Sequence, residues 1–62
     1  MYTLQVFYDG ALRHTERLTG GANVLARIPE LLRAHEGCEK IVIAMEGVRL
    51  FAVDCEGRRL DD

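Results

Sequence analysis

Apolar and polar positions alternate from the start of the chain: Tyr2, Leu4 and Val6 against Thr3 and Gln5, with Phe7 breaking the polar side. This period of two predicts a strand over residues 2–7 with one buried face. Asp9-Gly10 follows, a strong hairpin signal. A two-residue turn there would pair Val6 with Arg13 and turn Arg13, Thr15 and Arg17 toward the core. A three-residue loop, Tyr8-Asp9-Gly10, would instead pair Val6 with Leu12 and Leu4 with His14. A slip of one residue exchanges the two faces, so the apolar pattern selects the three-residue loop and a second strand over about 11–18.

Thr19-Gly20-Gly21 breaks that strand. Val24, Leu25, Ile28, Leu31, Leu32 and His35 then recur at helical spacing as one stripe, with Arg27, Glu30, Arg33 and Glu36 on the other side. Gly37 is a natural stop. Pro29 lies inside the pattern, where it removes a helical hydrogen bond. The unbroken stripe favours one helix over about 23–36, kinked at Pro29, against a helix that begins at Pro29.

Residues 40–45 and 48–54 read as two further strands around Glu46-Gly47. A two-residue turn pairs Met45 with Val48, Ile43 with Leu50 and Ile41 with Ala52, and gathers these six on one face. Val42, Ala44, Phe51 and Val53, edged by Arg49, then share the other. The tail EGRRLDD adds a short turn or frays. The order is ββαββ, and one amphipathic helix on a four-stranded antiparallel sheet gives a two-layer α+β sandwich. The helix would pack on Leu4, Val6, Leu12, Ile41, Ile43 and Leu50. Phe7, Val42, Ala44, Phe51 and Val53 would remain on an uncovered face.

Composition narrows the function classes. The chain has 62 residues, 48% hydrophobic and 29% charged, with one Pro. That is one small globular domain of marginal stability, for which a shared apolar face or a staple is valuable. A net charge of −2 supplies no global basic field for nucleic acid or an anionic membrane. No apolar run approaches a membrane span, and the N-terminal stretch lacks the features of a secretory signal, so a cytoplasmic location is expected.

Four groups of residues carry possible chemistry. The uncovered face is a candidate interface, since a contiguous apolar patch on a small protein suggests a contact surface. Glu36, Glu39, Asp54 and Glu56, with Asp61 and Asp62, converge at the open end of the second hairpin, where Glu39 would lie opposite Asp54. A solvated end balanced by Lys40, Arg58 and Arg59 is the plainer reading of that cluster. Cys38 falls opposite Cys55 in the same register, so a cross-strand disulfide is geometrically possible, although reduced thiols are expected in the cytoplasm. His35-x-x-Cys38 with His14 and Cys55 supplies only one close ligand pair, too little for a zinc signature. A cysteine–histidine nucleophile would need an enclosed pocket, for which a one-helix domain has little room.

No family signature, catalytic motif, cofactor motif or metal motif is present in these residues. The expectation is a non-enzymatic module that binds another protein or a second copy of itself as a homodimer, with no cofactor and no membrane contact. The partner-binding residues would be Val42, Ala44, Arg49, Phe51 and Val53 on the sheet face, and Glu39, Asp54 and Glu56 at the acidic end. Free-standing chains of this size are often inhibitors or adaptors of larger complexes, phage-borne inhibitors of bacterial defence such as anti-CRISPR proteins among them. The alternative is a small nucleic-acid-binding regulator that uses Arg13, Arg17, Arg58 and Arg59.

Overall fold

The computed structural model describes residues 1–60. Its elements are β1 (Tyr2–Tyr8), β2 (Ala11–Leu18), α1 (Gly21–Ala34), β3 (Lys40–Met45), β4 (Val48–Asp54) and β5 (Arg59–Leu60). The strands form one antiparallel sheet in the order β2-β1-β3-β4-β5. The α+β class with a single helix is as expected; the sheet has one short strand more than the four anticipated. That strand comes from the tail. Asp54 Oδ1 accepts hydrogen bonds from the amides of Glu56 and Arg58 at 2.9 and 2.8 Å, which bends the chain so that Arg59 and Leu60 return beside Val53 and Ala52. Asp61 and Asp62 lie outside the described residues.

Both β2 and β3 run antiparallel to β1 and therefore parallel to each other, with β1 between them. The connection from β2 to β3 must cross over β1, and α1 makes that crossing. The Tyr2 hydroxyl lies beside Gly21 at the start of the helix. The Tyr8 hydroxyl reaches His35 Nδ1, at the helix end, at 3.2 Å. The helix thus runs along β1, and Pro29 lies within it, as the single-helix reading required. Both ends fall two residues earlier than the stripe suggested. At the entry Asn23 Nδ2 donates to the Thr19 carbonyl at 2.6 Å. At the exit His35 leaves helical geometry at φ −121°, although its amide still bonds Leu31. Val24, Ile28 and Leu31 are the buried stripe; Leu25, expected in it, is 66% exposed.

Leu4, Val6, Ile41 and Ile43 are fully buried beneath that stripe, as expected. They belong to the central β1–β3 ladder, where Leu4 pairs with Ile43 and Val6 with Ile41. Each such side chain contributes roughly 1.5–3 kcal/mol by leaving water. Val53 and Cys38 complete the core, with Tyr2, Tyr8, Leu18, Leu32, Phe51 and Cys55 packed around it.

The two hairpins depart from the expected registers in the same way. The first has a two-residue turn, Asp9-Gly10, with φ of 50° and 79°, and pairs Tyr8 with Ala11 and Phe7 with Leu12. The register then shifts, so that Val6 faces His14 and Leu4 faces Glu16, and Arg13 is the extra, bulged residue. The three-residue loop is thereby corrected, and Leu12, expected in the core, is 48% exposed on the other face. The second hairpin has the expected two-residue turn, with φ of 50° at Glu46 and 83° at Gly47, and pairs Met45 with Val48. After Ala44 faces Arg49 its register also shifts: Ile43 faces Phe51, Ile41 faces Val53, and Leu50 is bulged. Phe51 and Val53 consequently belong to the helix side and Ala52 to the outer side, the reverse of the unbroken alternation. Leu50, expected beneath the helix, is exposed.

Two measurements of stability test this packing. Leu31→Ala should cost about 2–5 kcal/mol in chemical denaturation, against less than about 0.5 kcal/mol for Leu25→Ala. Glu46 occupies a left-handed position that costs a glutamate about 1 kcal/mol and suits asparagine. Glu46→Asn should therefore raise the melting temperature by several degrees; an unchanged or lower value would show that Glu46 is not strained.

Candidate functional site

With α1 on one side of the sheet, the opposite side carries Thr3, Gln5 and Phe7 of β1, Lys40, Val42 and Ala44 of β3, and Ala52 of β4, as the strand pairings dictate. Leu12, Thr15 and Arg17 extend it across β2, and Arg49, Asp54 and Leu60 across β4 and β5. Among the described residues α1 is the only helix, and it lies on the other face. Phe7, Val42, Ala44, Ala52 and Leu60 make an apolar band across the middle. Val42 is 8% exposed and Ala52 is fully buried, because small side chains in mid-sheet are screened by their neighbours. The contactable part of the band is therefore its rim. Phe7, Ala44 and Leu60 are half-buried there, and Leu12 is exposed.

The expected partner-binding residues divide accordingly. Val42, Ala44 and Arg49 are on the uncovered face. Phe51 and Val53 are not: Val53 is part of the core, and Phe51 packs against it with the Arg59 guanidinium 5.1 Å from its ring centre. Leu12, Ala52 and Leu60 take their places on the outer face. The bulge at Leu50 makes this exchange in β4, and the bulge at Arg13 turns Leu12 outward in β2.

The acidic end is also rearranged. Lys40, not Glu39, pairs with Asp54, so the like-charge contact is replaced by an opposite-charge pair. Glu39 Oε1 accepts the Gly10 amide at 2.5 Å, and the Glu39 amide donates to the Phe7 carbonyl at 2.8 Å. Asp54 organises the turn into β5, and Glu56 pairs with Arg58 at 3.7 Å in full exposure. Two of these three carboxylates hold backbone in place. Lys40 Nζ sits 5.3 Å from the Phe7 ring centre, which caps one end of the apolar band with a cation.

Under the helix, β2 presents polar side chains that the core does not absorb. Glu16 receives both Arg27 Nε, at 2.9 Å, and the second Arg27 amino group, at 3.0 Å, a two-point contact tying β2 to α1. The Arg27 hydrogen bonds hold the Glu16 carboxyl below its ordinary 4.5, against a smaller opposing effect of burial. The His14 and His35 rings lie 5.1 Å apart at 34°, and His35 in turn meets Tyr8. His14 Nε2 is buried and 3.6 Å from Glu16 Oε2, too far for a hydrogen bond. None of this cluster was foreseen beyond His14 at the core edge and His35 in the stripe.

Cys38 and Cys55 are free thiols. The second bulge moves them out of direct opposition, yet Cys55 packs against the core cluster that includes Cys38, and its Sγ accepts the Gly37 amide at 3.2 Å. Burial, with Cys55 adding to it, pushes the Cys38 thiol up to about 11. Among the described residues no three His, Cys, Asp or Glu side chains come together as a metal-ligand set. Arg13 and Arg17 lie on β2 at one edge of the sheet and Arg58 and Arg59 by β5 at the other, so the four arginines form no single stripe. Among the described residues no helix is long and apolar enough to cross a membrane. Comparison with protein-family models, with curated proteins and with solved structures found no match.

The Glu16–Arg27 contact predicts a pH signature. A carboxyl lowered in the folded state contributes stability above its unfolded value of about 4.5, and that contribution is lost as pH falls through the lower folded value. Glu16→Gln should reduce the melting temperature at pH 7 and narrow its gap to the unsubstituted chain as pH drops below 4.5. An equal deficit at pH 7 and pH 3 would show that the loss is one of packing.

Proposed function

We propose that this chain is a small, non-enzymatic protein-binding module that docks through the outer face of its sheet. The observation that supports this most is the one-sided architecture. A single helix covers one face of a five-stranded sheet, while the other keeps an apolar band of Phe7, Val42, Ala44, Ala52 and Leu60 with Leu12 exposed at its rim. An apolar band with a contactable rim edged by polar residues has the anatomy of a contact surface. Lys40 and Arg17 on this face favour a partner surface that is apolar at its centre and acidic at its margin. The partner is another protein or a second copy of the chain. An inhibitor or adaptor of a larger assembly is the role that a module of this size and build would fill.

Surface-directed substitution separates this reading from its rivals. Ala44→Glu and Leu12→Glu place charge on the outer face, and Leu25→Glu places it on the exposed side of the helix. After circular dichroism has shown all three folded, self-association is measured by sedimentation and capture of proteins from the native host by mass spectrometry. The two outer-face variants should weaken the observed association at least tenfold, and Leu25→Glu should leave it intact. Loss with Leu25→Glu alone would move the surface to the helix, and no association of any kind would overturn the proposal.

A further inference from the structure

Beside the docking face, the molecule carries two thiols set together at the end of the β3–β4 hairpin. Cys38 is 5% exposed and belongs to the core; Cys55 packs against the same core and is only half-buried. The Gly37 amide donates to Cys55 Sγ at 3.2 Å, which brings that sulfur to the residue next to Cys38, and Cys55 packs against the core cluster that holds Cys38. Both stretches of backbone are fastened independently of the sulfurs. The Cys38 amide bonds the His35 carbonyl at 3.1 Å, and the Glu39 amide bonds Phe7. On the other side the Asp54 amide bonds the Arg58 carbonyl at 2.8 Å, and the Gly57 amide bonds the Asp54 carbonyl at 3.0 Å.

We infer that Cys38 and Cys55 are a redox pair, a dithiol that closes to an intramolecular disulfide when it meets a peroxide and reopens with a dithiol reductant. The two sulfurs differ in accessibility, which assigns their roles. Cys55 is the less buried of the two residues and therefore the one a peroxide meets first. Its thiolate attacks one oxygen of the peroxide and breaks the O–O bond, giving a sulfenic acid at Cys55 and, after protonation, one water. Cys38, buried and protonated, is shielded from the oxidant and lies beside the product. Its sulfur then bonds to that of Cys55, its proton leaves with the sulfenic hydroxyl, and a second water forms. In sum two thiols and one peroxide become one disulfide and two waters. The cross-link ties the start of β3 to the end of β4, the hairpin that carries Val42, Ala44 and Ala52, so oxidation stiffens the outer face without covering it.

The test uses the whole chain, reduced and then exposed to a few equivalents of hydrogen peroxide. Intact mass should fall by two hydrogens with the chain still monomeric in non-reducing electrophoresis. Iodoacetamide added after unfolding in guanidinium should label two cysteines before oxidation and none after, with both recovered on treatment with dithiothreitol. The melting temperature of the oxidised form should exceed that of the reduced form by roughly 10 °C or more, since closing a loop of this length removes unfolded-state entropy. Dimedone should label Cys55 in the Cys38→Ser variant and leave Cys38 unlabelled in Cys55→Ser. Addition of oxygen with no loss of two hydrogens, or disulfide-linked dimers in place of the internal bond, would overturn the inference. Because the wild-type mass and labelling carry the result, it stands even where a serine variant fails to fold.

Discussion

Everything about which side chain meets which surface depends on one extra residue in each hairpin. In a strand the side chains alternate with period two, so one inserted residue moves all those beyond it to the opposite face. Arg13 in β2 and Leu50 in β4 are those residues. They put His14, Glu16 and Leu18 beneath the helix in one hairpin and Phe51 and Val53 in the other. Without the second bulge, Leu50 and Ala52 would be the core residues and a phenylalanine ring would stand in water.

The two hairpins share one plan although their residues do not repeat. In each, a two-residue turn with both central φ angles positive is followed by two paired positions, then the bulge. Val6 corresponds to Ile43, Gly10 to Gly47 and His14 to Phe51. The two also meet through β1 and β3 as equivalents, with Leu4 on Ile43 and Ile41 on Val6, so the four-stranded part of the sheet has a local two-fold relation. The helix breaks that relation by covering one face over β1. At the positions equivalent to His14 and Glu16 the second hairpin holds Phe51 and Val53. One flank of the core is thus sealed by apolar packing and the other by the two-point Glu16–Arg27 contact.

This asymmetry separates the molecule's chemistry into regions. The β2 flank carries the titratable contact, the end of the β3–β4 hairpin carries the thiols, and the outer sheet face carries the apolar band. Glu39 and Asp54, expected at a partner surface, also accept the amides of Gly10, Glu56 and Arg58. A carboxylate already accepting backbone amides has less left to offer a partner than its charge suggests.

The local signals in the chain were enough for the class of fold. Alternation in 2–7 and 40–45, the Asp9-Gly10 and Glu46-Gly47 turns, and the stripe of Val24, Ile28 and Leu31 place four strands and a helix, and with them Leu4, Val6, Ile41 and Ile43 in the core. These are properties of neighbouring residues, and hydrophobic periodicity reports them directly. The face assignments of Leu12, Leu50, Phe51 and Val53, the pairing of β5 and the exposure of Leu25 were decided by tertiary structure. A bulge costs one ladder position locally, and only packing across the whole sheet says which placement buries the larger side chain. Phe51 and Val53 go inward and pack with the core, and the bulge at Arg13 leaves Glu16 on the helix side, where Arg27 meets it. The turn at Asp54 and the closeness of the two thiols have the same origin. They depend on where the ends of β3 and β4 arrive, and that follows from the register and not from any residue read alone.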